Sequence, residues 1–330
     1  MKAILMTAVG GSDVLQEQDI AEPHLTTATQ IKVRLHAAGV NPVDTKIRKG
    51  GLFYPNAPLP AVLGCDGAGE VVEIGANVSD FKIGDKVWFC NGGLGREQGN
   101  YAQFTVIESR WVSLMPNVDF QIAAAAPLVL ITAWGALFER GLLQAGQTVL
   151  IHAGAGGVGH VAIQLAKIAG AKVITTVSSN EKAAFVKSLG ADEVIFYNQT
   201  DVAAEVNRLT NGRGADLVFD TVGADVFKLS IPCTAHFGRI VTILDASNLD
   251  LSEARMRNLL IGFELMLTPM LRDLDVERDK QVTLLKKCAD YINAGKLQIH
   301  VNEVLPLRDA KKAHDLIESG HTMGKIVLAI

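Results

Sequence analysis

His152-Ala-Gly-Ala-Gly-Gly-Val-Gly159 places glycines at 154, 156 and 159, after the apolar run Thr148-Val-Leu-Ile151 and before the helical pattern Val161-Ala-Ile-Gln-Leu-Ala-Lys-Ile168. In a strand–turn–helix setting, G-x-G-x-x-G is the fingerprint of a dinucleotide-binding turn. One glycine permits the tight turn, one lets the backbone approach a pyrophosphate, and one lets helix pack closely on strand. The helix N-terminus adds free N–H groups and the positive end of its dipole. Gly154, Gly156, Gly157, Val158 and Gly159 are the expected phosphate cradle. The run lies near the middle of the chain, not at its start.

Downstream, short apolar runs alternate with helical patterns: Lys172–Val177, a helix near 180–188, Glu193–Phe196, a helix near 201–210, Ala215–Asp220 and Arg239–Ile243. That alternation predicts parallel βαβ units and a sheet covered on both faces, an α/β doubly wound Rossmann domain. Residues 123–143 also read as helical. Upstream, the chain is rich in short β-like runs such as Ile31–Leu35, Gly69–Ile74 and Lys86–Phe89, separated by Gly, Pro and Asn. The C-terminal end breaks the alternation, with a helix near 276–294, a strand at Leu297–Val301, a helix near 308–319 and a strand at Gly324–Leu328. The last two strands are expected to rejoin the β-rich part. The expected domains are 1–121 completed by 296–330, and 122–295.

A length of 330 residues allows two domains with real cores. A formal net charge of −4 argues against nucleic acid or an anionic membrane as partner. No apolar stretch reaches the length of a membrane span, and the first residues lack a signal-peptide layout. A cytoplasmic protein is expected. The four cysteines, at 65, 90, 233 and 288, include no C-x-x-C pair. They imply neither a disulfide framework nor a zinc lobe, but reduced and mostly buried thiols.

This arrangement resembles the medium-chain dehydrogenase/reductase superfamily, and within it the zinc-independent quinone oxidoreductase (zeta-crystallin-like) branch. The resemblance rests on Ala38-Gly-Val-Asn-Pro-Val-Asp44, Leu63-Gly-Cys-Asp-Gly-Ala-Gly-Glu70, Leu130-Ile-Thr-Ala-Trp134, the glycine run, Asp220-Thr-Val-Gly223 and Gly324-Lys-Ile-Val-Leu328. It spans essentially the whole chain and implies a GroES-like catalytic domain for the β-rich part. Zinc alcohol dehydrogenases of the superfamily carry a metal-binding Cys where Asn41 stands and a His-Glu pair where Cys65-Asp66 stands. Those residues do not make a zinc site, so metal-free chemistry is expected.

An NAD-selective fold ends its second strand in an acid that takes the ribose hydroxyls. Here Val173–Val177 runs into Ser178-Ser179-Asn180-Glu181-Lys182, with no acid at the tip. Ser178, Ser179 and Lys182 suit a 2′-phosphate, and the resemblance adds Tyr197. Glu181 dissents, but it lies past the tip and suits the first turn of a helix. NADPH is the expected cofactor, with Thr132 placed near the nicotinamide by resemblance.

Without a Lewis acid, a conjugated acceptor is the expected substrate: a quinone or an α,β-unsaturated carbonyl. Asn41 reads equally as a donor to the substrate oxygen and as a turn residue before Pro42. Lys46 stands where related reductases often carry Tyr, and reads as a cationic stabiliser or proton donor, or as a surface lysine. Tyr54, in the loop 50–55, reads as a cleft residue or as packing. No catalytic histidine is named. Two other readings stay open: an NADPH-binding structural or redox-sensing protein with little catalysis, and a stand-alone enoyl-thioester reductase. The apolar run Gly262–Thr268 reads as an unpaired edge strand, a pairing site for a second copy.

Overall fold

The computed structural model describes residues 1–54, 56–245 and 249–330. Pro55, at the end of the loop 50–55, lies outside the described residues. The chain packs as two compact units, one of residues 1–128, 267–295 and 299–330, the other of 129–266 with 296–298.

The second unit holds a six-stranded parallel sheet in the order Glu193–Phe196, Lys172–Val177, Thr148–Ile151, Ala215–Asp220, Thr234–Thr242, Leu260–Phe263. All four residues of Thr148–Ile151 are buried, as a strand covered on both faces requires. Leu150, Ile174, Val206, Val218, Phe227 and Ile240 form the core between sheet and helices. The chain builds outward from Thr148–Ile151 on one side, then returns to build on the other. The strand order therefore reverses beside the carboxyl end of that strand, where the glycine run begins and where ligands bind in such sheets.

The first unit is β-rich. Its larger sheet runs Val301–Pro306, Lys325–Ala329, Gln30–Val40, Asp66–Ile74, Lys86–Cys90, Ser113–Leu114, with Phe104–Glu108 also pairing Gln30–Val40. The C-terminal strand lies antiparallel to Gln30–Val40, Ile326 opposite Val40 and Ala329 opposite Ala37. A smaller sheet orders Leu15–Asp19, Lys2–Met6 and Ala61–Val62.

Several boundaries depart from expectation. The strand expected at 297–301 begins at Val301 and ends at Pro306, because Gln298 is held elsewhere: its N–H donates to Gln164 Oε1 at 2.8 Å, and its carbonyl accepts from Gln164 Nε2 at 2.9 Å. Residues 267–295, expected with the dinucleotide domain, pack in the β-rich unit. The helix Asp275–Asn293 is tied there by Arg110 to Asp275 and Asp279, and by Asn117 N–H to Asn293 Oδ1. The edge strand expected at 262–268 is Leu260–Phe263, and Pro269 then opens the short helix Thr268–Leu271. The helical stretch at 123–143 divides before Pro127, whose ring disfavours helix at the residue before it. Among the described residues, no helix is long and apolar enough to cross a membrane.

Candidate active site

In the Rossmann unit Gly154 and Gly159 are demanded by space. A Cβ on Gly154 would lie 2.0 Å from Thr175 Oγ1, and one on Gly159 would lie 2.4 Å from the Ala153 carbonyl and 2.7 Å from Gly154 Cα. A Cβ on Gly156 meets only the Ala153 carbonyl, at 3.2 Å. Gly156 caps the helix Gly157–Ile168, so the free N–H groups of Gly157, Val158 and Gly159 open its first turn. Ala153 takes φ +50, uncommon for a residue with a Cβ. It is gripped by the second strand: Ala153 N–H donates to Thr176 Oγ1 at 3.0 Å, and Gly154 N–H to Thr176 O at 3.2 Å. This cradle, with space where a side chain would stand, fits the pyrophosphate of a dinucleotide.

The carboxyl end of Lys172–Val177 gathers the residues expected at a 2′-phosphate. Ser179 caps the helix Asn180–Ser188, its Oγ accepting from Lys182 N–H at 3.3 Å, and Glu181 lies in that first turn. Tyr197 is 54% exposed, and its N–H donates to Val177 O at 3.2 Å. Asn198, not singled out in the sequence, donates from Nδ2 to the Ser178 carbonyl at 3.2 Å. Among the described residues Lys182 Nζ has no carboxylate within ion-pair distance. Thr132 is buried on the helix Pro127–Trp134.

In the β-rich unit the helix Pro42–Gly50 starts at Asn41, with Pro42 in its first turn. Asp44 Oδ2 closes that start by accepting from Asn41 N–H at 2.8 Å. Asn41 is fully buried: Nδ2 donates to Asp66 Oδ2 at 2.9 Å, and Oδ1 accepts from Lys325 Nζ. The expected donor to a substrate oxygen is therefore committed inside the unit, because its neighbours are buried charges that need it. Lys325 Nζ also donates to Val40 O at 2.9 Å. Burial draws the Lys325 ammonium below its ordinary pKa and raises Asp66 to about 6 and Asp44 to about 7.

A second chain of bonds closes around Asp44. Tyr101 O–H donates to Asp44 Oδ2 at 2.9 Å, so it accepts from His314 Nε2 at 3.3 Å, leaving Nδ1 facing Arg48 at 3.4 Å. Burial, with the Arg48 charge beside it, lowers the His314 pKa to about 4. Arg48 is itself buried and paired with Glu318 at 2.5 Å. Sequence reasoning missed Lys325, Tyr101, His314 and Arg48.

Lys46 stands on the exposed side of the same helix, while partial shielding of its ammonium holds its pKa below the ordinary lysine value. The Tyr54 O–H donates to the Met270 carbonyl at 2.9 Å, and the Arg96 guanidinium sits 4.8 Å from its ring centre. Its proton is thus engaged, and burial raises its pKa.

The residues at the zinc positions do not fit zinc. Asn41 is an amide bound at both ends and a lysine ammonium lies against it. Cys65, its pKa pushed well above the thiol range chiefly by a hydrogen bond to Cys90 and by burial, is a thiol rather than a thiolate.

Residues 27–117 match the family described as alcohol dehydrogenase GroES-like domain, and residues 189–328 the one described as zinc-binding dehydrogenase. A quinone oxidoreductase of Pseudomonas aeruginosa is 36% identical over 334 residues, covering 99% of this chain and 99% of that protein. The chloroplastic NADPH-dependent alkenal/one oxidoreductase of Arabidopsis thaliana is 32% identical, over 99% of this chain and 79% of its own length. The crystal structure of Escherichia coli quinone oxidoreductase complexed with NADPH superposes with a TM-score of 0.89 at 29% identity, covering all of both chains. Both the β-rich unit and the Rossmann unit fall within these matches, so the chain belongs to the medium-chain dehydrogenase/reductase superfamily, in its zinc-independent quinone oxidoreductase branch.

Proposed function

We propose that this chain is an NADPH-dependent, zinc-independent reductase of quinones or α,β-unsaturated carbonyls. The reading is carried by the glycine cradle at the switch point beside a strand tip that offers Ser178, Ser179 and an unpaired Lys182 instead of a carboxylate. When bound, NADPH supplies a hydride. The Gly154–Gly159 cradle and the N–H groups of Gly157, Val158 and Gly159 hold the pyrophosphate. Ser178, Ser179 and Lys182 take the 2′-phosphate, with Tyr197 against the adenosine and Thr132 near the nicotinamide. Substrate lies with the β-rich unit, residues 1–128, 267–295 and 299–330, and cofactor with the Rossmann unit, 129–266 and 296–298.

A conjugated acceptor gathers negative charge on its oxygen as it is reduced, and a nearby cation steadies that charge. Lys46 is the proposed cation, Asn41 the buried anchor that positions its helix, and Tyr54 part of the wall. The test is oxidation of NADPH by a simple quinone and by an enone. Failure of the purified protein to turn over either acceptor, or tighter binding of NADH than of NADPH, overturns the reading. Lys182→Ala is expected to raise KM for NADPH about tenfold and leave KM for NADH near its starting value, while Lys46→Met lowers kcat instead. Equal effects on both cofactors would remove Lys182 from the phosphate site, and an unchanged kcat would remove Lys46 from the reaction.

The quinone oxidoreductase relatives accord with a small-molecule substrate, and we place the protein in the cytoplasm, where four free thiols persist. A homodimer is proposed on the edge strand Leu260–Phe263, where Leu260 and Phe263 are exposed. Light scattering giving the mass of one chain would remove it.

A further inference from the structure

His152 stands one residue before the phosphate loop, and its ring is buried with polar partners on both sides. Nδ1 faces Thr176 Oγ1 at 3.4 Å and Nε2 faces Ser230 Oγ at 3.2 Å. The protons in this chain follow from counting. Thr176 Oγ1 already accepts from Ala153 N–H, so its own hydrogen is free to point at His152 Nδ1. Ser230 sends its hydrogen to the Val226 carbonyl at 2.8 Å, so its oxygen is left to accept from His152 Nε2. The neutral ring satisfies both with its proton on Nε2, whereas the other neutral tautomer would set a bare Nε2 against a Ser230 oxygen whose hydrogen is already given away. Thr221 Oγ1 donates to the His152 carbonyl at 2.8 Å and holds the backbone on the other side. Burial, which lowers the His152 pKa to about 4, keeps the ring in that form at neutral pH.

We propose that His152 is a positioning residue for the cofactor: through Thr176 it holds Ala153 in its left-handed conformation and so fixes the loop on which the pyrophosphate rests. Ala153 has a Cβ and does not adopt φ +50 unaided. Its N–H and that of Gly154 are both bound by Thr176, and the hydroxyl of Thr176 is oriented by His152. A glycine at 153 would be free to wander; an alanine held from below is preorganised. The inference deepens the reading of the preceding subsection and rests on its cofactor.

The test has two parts. In the first, nicotinamide fluorescence measures the Kd of NADPH for wild type, His152→Leu, Thr176→Val and Thr176→Ser. The expected result is a Kd raised about tenfold in His152→Leu and Thr176→Val, with Thr176→Ser near wild type because it keeps the hydroxyl. In turnover, the change falls in KM for NADPH rather than in kcat. In the second, nitrogen NMR of the ligand-free wild type at neutral pH is expected to show His152 protonated on Nε2 alone. Wild-type affinity in both His152→Leu and Thr176→Val overturns the proposal, as does a proton on Nδ1. If those variants do not fold, the NMR measurement decides alone. A wild type that binds no NADPH overturns the cofactor reading itself, a result distinct from a wild type that binds and a His152 variant that binds equally well.

Discussion

Gly159→Ala is expected to abolish useful cofactor binding, weakening NADPH by about 100-fold or more, and to lower stability by about 1–3 kcal/mol, whereas Gly156→Ala weakens NADPH and leaves stability as it is. The difference lies in what the added methyl meets. At 159 it would lie 2.4 Å from the Ala153 carbonyl and 2.7 Å from Gly154 Cα, both backbone, so helix Gly157–Ile168 has to move off the loop that it packs against. No rotamer relieves that contact. At 156 the same methyl is 3.2 Å from one carbonyl oxygen and otherwise enters the space into which the pyrophosphate is expected to come. Its φ of −77 is open to any residue, so the fold tolerates it. Thermal unfolding without cofactor and fluorescence titration with NADPH separate the two. Equal melting temperatures for Gly159→Ala and wild type would contradict the packing argument. Undiminished NADPH affinity in Gly156→Ala would mean that the pyrophosphate does not approach there.

The strand–turn–helix that carries the glycines was legible because everything that defines it is local. Strand, glycines and helix lie within residues 148–168, and the three glycines keep the spacing that such a turn needs. The lack of an acid at the tip of Lys172–Val177 was legible for the same reason. The buried network of the β-rich unit was not, since its bonds join residues far apart: Lys325 meets Asn41 across 284 positions, and His314 meets Arg48 across 266. One signal was available, a lysine opening the otherwise apolar strand Lys325–Ala329, a residue type rarely buried without a partner. His152 is intermediate, with partners 24 and 78 residues away. The helix Asp275–Asn293 went to the unexpected unit because a helical pattern specifies an apolar face and not which core receives it.

Lys325→Met is expected to destabilise the β-rich unit by about 3–5 kcal/mol, and more at pH 8 than at pH 5. The side chain fits the volume, so the loss is electrostatic. Lys325 is the cation that favours the charged form of Asp66, and it also satisfies the Asn41 amide oxygen and the Val40 carbonyl. Remove it and Asp66 is a buried carboxylate left with hydrogen bonds from the Asn41 amide, the Leu128 N–H and the Cys90 thiol, while Asp44, already raised to about 7, lies nearby. The sign of the pH effect follows from proton counting. Even with Lys325 present, the folded-state pKa of Asp66 is raised to about 6, above its ordinary value of 3.8. Without the ammonium it rises further. Between the unfolded and folded values the native state holds a proton that the unfolded chain gives up, so stability is greatest in acid and falls as pH rises through that window. Acid therefore restores part of what the substitution removes, by neutralising the stranded carboxylate. The double variant Lys325→Met/Asp66→Asn is expected to recover most of the loss, since it removes the unpaired charge and keeps an acceptor for the Asn41 amide. Urea unfolding at pH 5 and pH 8 measures all of these. If Lys325→Met unfolds at the wild-type midpoint, or loses equally at both pH values, then the ammonium is not what balances Asp66, and the carboxylate must be neutral in the wild type as well.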